Sequence, residues 1–212
     1  MEETIAQNAA QFWSYLPAII TAVGTIVMGW FGYNQYTKNK MTDQKIESWK
    51  ASEERKADKR SEDLAKIFGE LWNILRASQA DRVYIIQPHP LVNNEYISIS
   101  LEVRDNGISS MKPVVHRMSM ESLPKFCSDL ATVDYMLIRD VRSEVKDQHM
   151  RSIFATNGTN SAVIKRIATT EQGWIGSLVI DFCHDMKVMP EVFEFLMNEA
   201  VDSIRYILPE YK

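Results

Sequence analysis

Four histidines and two cysteines are the residues of this 212-residue chain best suited to metal or nucleophilic chemistry. His89, His116, His149 and His184 are scattered, no two of them fall at i,i+4, and no H-E-x-x-H occurs. Cys127 and Cys183 are far apart and neither belongs to a C-x-x-C. A zinc site needs three or four such ligands at short, repeated spacings, so no metal is expected. Nor do two isolated cysteines make a disulfide scaffold, and both are expected to be free thiols. The chain lacks G-x-x-x-x-G-K, G-x-G-x-x-G and G-x-S-x-G, so neither a phosphate cradle nor a nucleophile elbow is encoded. A net charge of −4 argues against a nucleic-acid partner. No catalytic constellation converges and no cofactor is expected, which favours a protein that senses or binds over an enzyme.

The elements carrying these residues fall into three zones: 1–37, 38–63 and 64–212. From Thr4 to Thr37 no side chain is charged. Trp13 to Tyr33 would rise about 30 Å as a helix, the thickness of a bilayer's hydrocarbon core. Phe12, Trp13 and Tyr15 stand at one end and Trp30, Phe31, Tyr33 and Tyr36 at the other, as interfacial aromatics do. This predicts a single transmembrane helix. A cleaved signal peptide fits less well, because Glu2 and Glu3 replace its basic start and no A-x-A site follows. Ala18, Ala22, Thr25, Gly29 and Gly32 recur in steps of four and three, a small face through which such helices associate. A homo-oligomer through the membrane helix is therefore expected. Lys38, Lys40, Lys45, Lys50, Arg55 and Lys56 follow the span, so the positive-inside rule places the C-terminal domain in the cytoplasm.

Residues 38–63 contain neither Pro nor Gly and are rich in alternating charge. Lys50–Glu54 and Lys59–Asp63 are opposite-charge pairs at i,i+4, which predicts a solvated helical stalk continuing the span. In 64–212, Leu64, Ile67, Phe68, Leu71, Trp72, Ile74 and Leu75 have the helical period. Strands are predicted at 82–87, 96–104 and 135–141. In 96–104, Ile97, Ile99, Leu101 and Val103 would share one face. Helices are predicted over 120–130 and 144–155. Strands at 161–168 and 174–182 join through the hairpin signal Thr170-Glu171-Gln172-Gly173, and a last helix opens at Pro190. The sum is an α+β domain with an antiparallel sheet covered by helices.

Within it, Ser161-Ala162-Val163-Ile164-Lys165-Arg166-Ile167, a turn, and Trp174-Ile175-Gly176-Ser177-Leu178-Val179-Ile180-Asp181-Phe182 resemble the strand pair of GAF domains, with Arg166 where proline is usual. The helix-into-strand entry from Leu71 to Ile85 and the closing helix fit the same family. The resemblance implies a GAF-like domain over 64–212 and a pocket between sheet and covering helices, for which Arg104, His116, Tyr135, Arg139 and Lys165 are the candidate lining groups. Cys183-His184 resembles the attachment pair of bilin-binding GAF domains, but it ends a strand here, which argues against a bilin. Two cysteines are also fewer than the GAF-type reductases of free methionine sulfoxide use. The plan of span, charged helix and small domain is similar to the holins of T-even-like bacteriophages, whose domain faces the periplasm. Two functions follow as expectations. One is a non-enzymatic membrane-anchored sensor or regulatory module for an unknown small ligand or regulatory protein. The other is a holin whose domain times lysis.

Overall fold

A computed structural model describes the backbone of residues 2–91, 93–186 and 190–211, and the side chains of these apart from 2–16, 19, 190 and 191. The chain divides into two units, residues 1–58 and Lys59–Lys212.

Helix α1, Glu2–Ser78, makes up the first unit and opens the second. Alanines, unbranched charged residues and the lack of any Gly or Pro through the stalk favour it. The helix begins well before the apolar run, so Pro17 lies in its interior and not near its start. Among the described residues no helix is long and apolar enough to cross a membrane. The side chains of Phe12 to Leu16, which open the span predicted from the sequence, lie outside the described residues. The described apolar side chains of the first unit are exposed, among them Ile20, Ile26, Met28 and Trp30. In the stalk Lys56 pairs with Glu53 at 3.2 Å.

The second unit is a six-stranded antiparallel sheet in the order β3-β2-β1-β6-β5-β4. Its strands are β1 Arg82–His89, β2 Tyr96–Arg104, β3 Met118–Ser119, β4 Tyr135–Ile138, β5 Ser161–Thr169 and β6 Gly173–Phe182. Between them lie α2 Pro124–Thr132, α3 Val141–Glu144 and α4 Gln148–Thr156, and α5 Pro190–Ile204 closes the domain. One face carries the end of α1 and α5: Ile67, Leu71 and Ile74 meet Phe193, Met197 and Ile204 over Val83, Ile85, Leu178 and Ile180. The other carries α2 to α4: Phe126, Leu130, Met150 and Phe154 pack on Tyr84, Ile86, Ile164 and Val179.

Four departures from the sequence reading have local causes. Strand β2 does not keep its four apolar residues on one face. The register slips where Ile85 pairs with Leu101 but Ile86 with Ile99, so Ser100 is an extra residue, a β-bulge. Ile97 and Ile99 therefore point to α2–α4, and Leu101 and Val103 to α1 and α5. The helix expected over 144–155 starts only at Gln148, because Asp147 caps it there: its carboxylate accepts the N–H groups of His149 and Met150, each at 3.2 Å. Likewise Asp140 accepts from Arg142 N–H at 3.0 Å and turns the chain into α3, which cuts β4 short at Ile138. Helix α2 starts at Pro124, after a 3₁₀ turn, because proline suits the first turn and disfavours helix before it.

Gly176, within the motif that suggested the fold, has a steric reason. A Cβ there would lie 2.9 Å from the Ile86 carbonyl oxygen and 3.3 Å from Gln87 Cγ. Backbone cannot yield as a side-chain tip can. Gly176→Ala is expected to destabilise the domain by about 1–3 kcal/mol, read as a lower melting temperature by circular dichroism. An unchanged melt would contradict the register of β1 on β6.

Candidate functional site

The five residues proposed from the sequence do not converge on one pocket. Tyr135 and Lys165 are brought together as direct partners across β4 and β5, on the α1/α5 face, where Lys165 Nζ also pairs with Asp134 at 2.5 Å. Arg104 ends β2, and its guanidinium donates to the Ile108 carbonyl in the adjoining turn. His116 lies near the opposite end of β2, hydrogen-bonded to Tyr211. Arg139 follows β4, and its N–H donates to Glu144 Oε2 at 3.1 Å. The resemblance placed a pocket between sheet and covering helices, and on the α2–α4 side that space is filled by the chain itself. Met111, Val115, Leu123 and Leu130 are wholly buried there, and Trp174 is nearly so. Trp174 Nε1 donates to Ser177 Oγ at 3.0 Å, so even its polar atom is satisfied internally.

The densest polar cluster was not among the candidates. Arg82 opens β1 and Asp181 lies opposite it on β6, both fully buried. Arg82 Nε lies 3.2 Å from Asp181 Oδ2, and Nη2 donates to Oδ1 at 3.2 Å. The same guanidinium donates to the carbonyls of Ser109 and Asn157, each at 3.1 Å, and to Thr159 Oγ1 at 2.9 Å. Thr159 and Tyr84 hydroxyls donate to Asp181 Oδ2 at 3.0 and 3.4 Å. Arg82 thus ties two sheet strands to the turn after β2 and to the end of α4. The adjacent Asp81 carboxylate accepts the Cys183 N–H at 2.6 Å and contacts His184 Nδ1 at 2.7 Å. Cys183 and His184 therefore belong to this knot at the sheet end. Two charged residues at the ends of otherwise apolar strands were the sequence signal that could have found it.

Burial dominates the electrostatics of this cluster. Burial pushes the Asp181 carboxyl up to about 6, against the pull of Arg82. Burial likewise raises the Cys183 thiol to about 11, although Arg82 opposes it, and the Cys127 thiol to about 12. Both cysteines are free, and both are held as thiols, which are poor nucleophiles. The shift of Asp181 has a linkage consequence. Its folded value lies above the ordinary carboxylate value of 3.8, so the folded state binds the proton more tightly than the unfolded chain. Its stabilising contribution is full below about pH 4 and is lost as pH rises through about 6. Asp181→Asn is expected to remove that part of the pH dependence. Urea melts of both proteins between pH 4.5 and 7 should show their stability difference changing over this window, and parallel curves would contradict it.

No family model matches the chain, and no curated protein does. Solved structures do. The blue-light-absorbing form of the Thermosynechococcus elongatus PixJ GAF domain superposes with a TM-score of 0.56 at 10% identity, covering 70% of this chain and 88% of that one. A far-red cyanobacteriochrome photoreceptor gives 0.53 at 16% identity over 79% of this chain and 95% of its own. The phycoerythrobilin-bound GAF domain of a cyanobacterial phytochrome also gives 0.53 at 16%, over 72% and 93%. At such identities the likeness is one of fold. With the sheet order and the helices on its two faces, it identifies the second unit as an α+β domain of the GAF fold.

Proposed function

We propose that this chain is a non-enzymatic regulatory module, a GAF-fold domain tethered to a membrane by the first part of α1. The carrying observation is the way α1 enters the domain. Ile67, Leu71, Ile74 and Leu75 are at most 5% exposed and share one core with β1, β6 and α5. A passive linker would not be built into the core. A helix that is built in transmits any rearrangement of the sheet to its own axis, since close-packed interiors pass strain on. The GAF folds it resembles include named photoreceptors, which supports a sensory role. The filled α2–α4 side favours an input received at the domain surface.

The membrane end of the reading is supported by Ile20, Val23, Ile26, Met28, Trp30 and Phe31, all more than half exposed. At helical spacing they share one broad arc, and an apolar surface of that width favours apolar surroundings. The small face of Ala18, Ala22, Thr25, Gly29 and Gly32 is exposed as well, and a Cβ on either glycine would meet nothing within 4 Å. It is free to take a second copy in the bilayer. The basic residues after Thr37 favour a cytoplasmic domain. A raft of spans is also what the holin reading needs, so the test must separate the two. Expression together with a cytoplasmic endolysin, followed by optical density, should give no abrupt lysis. Sudden lysis that requires residues 12–33, with timing altered when 64–212 is removed, would overturn the module and establish the holin.

A further inference from the structure

The α1/α5 face of the sheet changes character at one end. Gln87 and His89 on β1 and Ser98 on β2 stand together there, 2%, 7% and 0% exposed, where apolar residues would serve a core better. The segment after α5 crosses them. Ile207 and Leu208 pack on the apolar core, and then the Pro209 carbonyl accepts from Gln87 Nε2 at 3.0 Å. The Tyr211 ring lies on the His89 imidazole with centroids 4.6 Å apart, and its hydroxyl shares a 3.0 Å hydrogen bond with His116 Nδ1. Tyr96 stacks near the same imidazole at 5.8 Å. Ser98 Oγ fixes the ring through a 2.8 Å bond to His89 Nε2 while accepting the Arg117 N–H at 2.7 Å. Gln87 Oε1 is buried with no hydrogen-bond partner.

We propose that this end of the sheet is a peptide-recognition site for proline–x–tyrosine segments, occupied in cis by Pro209-Glu210-Tyr211 and open to the same motif on a partner protein. Each part reads a different feature. The Gln87 amide takes a backbone carbonyl, the His89 and Tyr96 rings make a flat aromatic seat, and His116 reads the phenol hydroxyl. The unpaired Gln87 Oε1 points to a ligand other than the cis segment. A buried acceptor left without a donor costs stability, and a partner backbone lying slightly deeper would supply the missing N–H. A segment serving only to cover the core would need no more than Ile207 and Leu208. The cis segment competes at the high effective concentration of an attached ligand, so a partner gains access when the segment lifts or when the partner is itself concentrated. The site does not depend on the membrane tether.

The probe is a labelled peptide of sequence Ile-Leu-Pro-Glu-Tyr-Lys, followed by fluorescence polarisation with the full chain in detergent micelles. Two variants open the site, one ending at Leu208 and one carrying Tyr211→Ala. The chain ending at Leu208 should bind the peptide at least about tenfold more tightly than the unaltered chain, and Tyr211→Ala should fall between. Replacing the peptide's tyrosine by alanine, or adding His116→Ala to the shortened chain, should weaken binding by a similar factor. Should the shortened chain melt early, Tyr211→Ala decides alone. Peptide binding that is absent from a variant with an unchanged melt, or that is indifferent to the tyrosine, would overturn the proposal.

Discussion

Arg82→Met is expected to destabilise the domain by about 3–5 kcal/mol. The cost does not come from lost attraction alone. Asp181 would remain fully buried on β6, held only by the hydroxyls of Thr159 and Tyr84. The Ser109 and Asn157 carbonyls would lose their donor, and with it the tie between the turn after β2 and the end of α4. Replacing both charges together, as Arg82→Met with Asp181→Leu, should cost markedly less, because no uncompensated charge is left behind. Urea unfolding of the single and double variants measures the difference. A double variant no more stable than Arg82→Met would mean that the guanidinium matters through its carbonyl contacts and not through Asp181.

Trp174→Asp is expected to leave the second unit largely unfolded. Trp174 is 7% exposed and belongs to the core beneath α2–α4. Removing so large a side chain from a packed core costs about 3–5 kcal/mol, and a carboxylate left there without a donor adds several more. That sum reaches the whole stability of an ordinary domain, about 5–15 kcal/mol. Loss of the cooperative melt by circular dichroism checks it. Trp174→Phe keeps an apolar ring, gives up the bond to Ser177 and part of the buried volume, and should stay folded.

The class of the fold was legible because its strongest signals are local. The bounds of β2 follow from its alternation, the β5–β6 hairpin from Thr170-Glu171-Gln172-Gly173, and the start of α5 from Pro190. The face that each β2 residue occupies was not legible. Its alternation runs unbroken from Ile97 to Val103, and only pairing with β1 reveals that Ser100 is a bulge. Nor was the start of α4, since Asp147 became a cap only once its neighbours turned. The sites were harder still, because their members are distant in the chain. Arg82 meets Asp181 through strand register, and His116 meets Tyr211 through the path of the segment after α5. The candidate lining residues of the implied pocket therefore scattered over the sheet, apart from Tyr135 and Lys165, whose strands are neighbours.

The proposed tether, in which the first part of α1 holds a GAF-fold domain at a bilayer, can be checked by flotation of the full chain with lipid vesicles, before and after alkaline carbonate washing. The chain should float and should stay with the vesicles through the wash, whereas a variant with Ile20, Val23, Ile26 and Met28 changed to asparagine should be left at the bottom of the gradient. Release of the unaltered chain by carbonate, or flotation of both proteins alike, would contradict the claim.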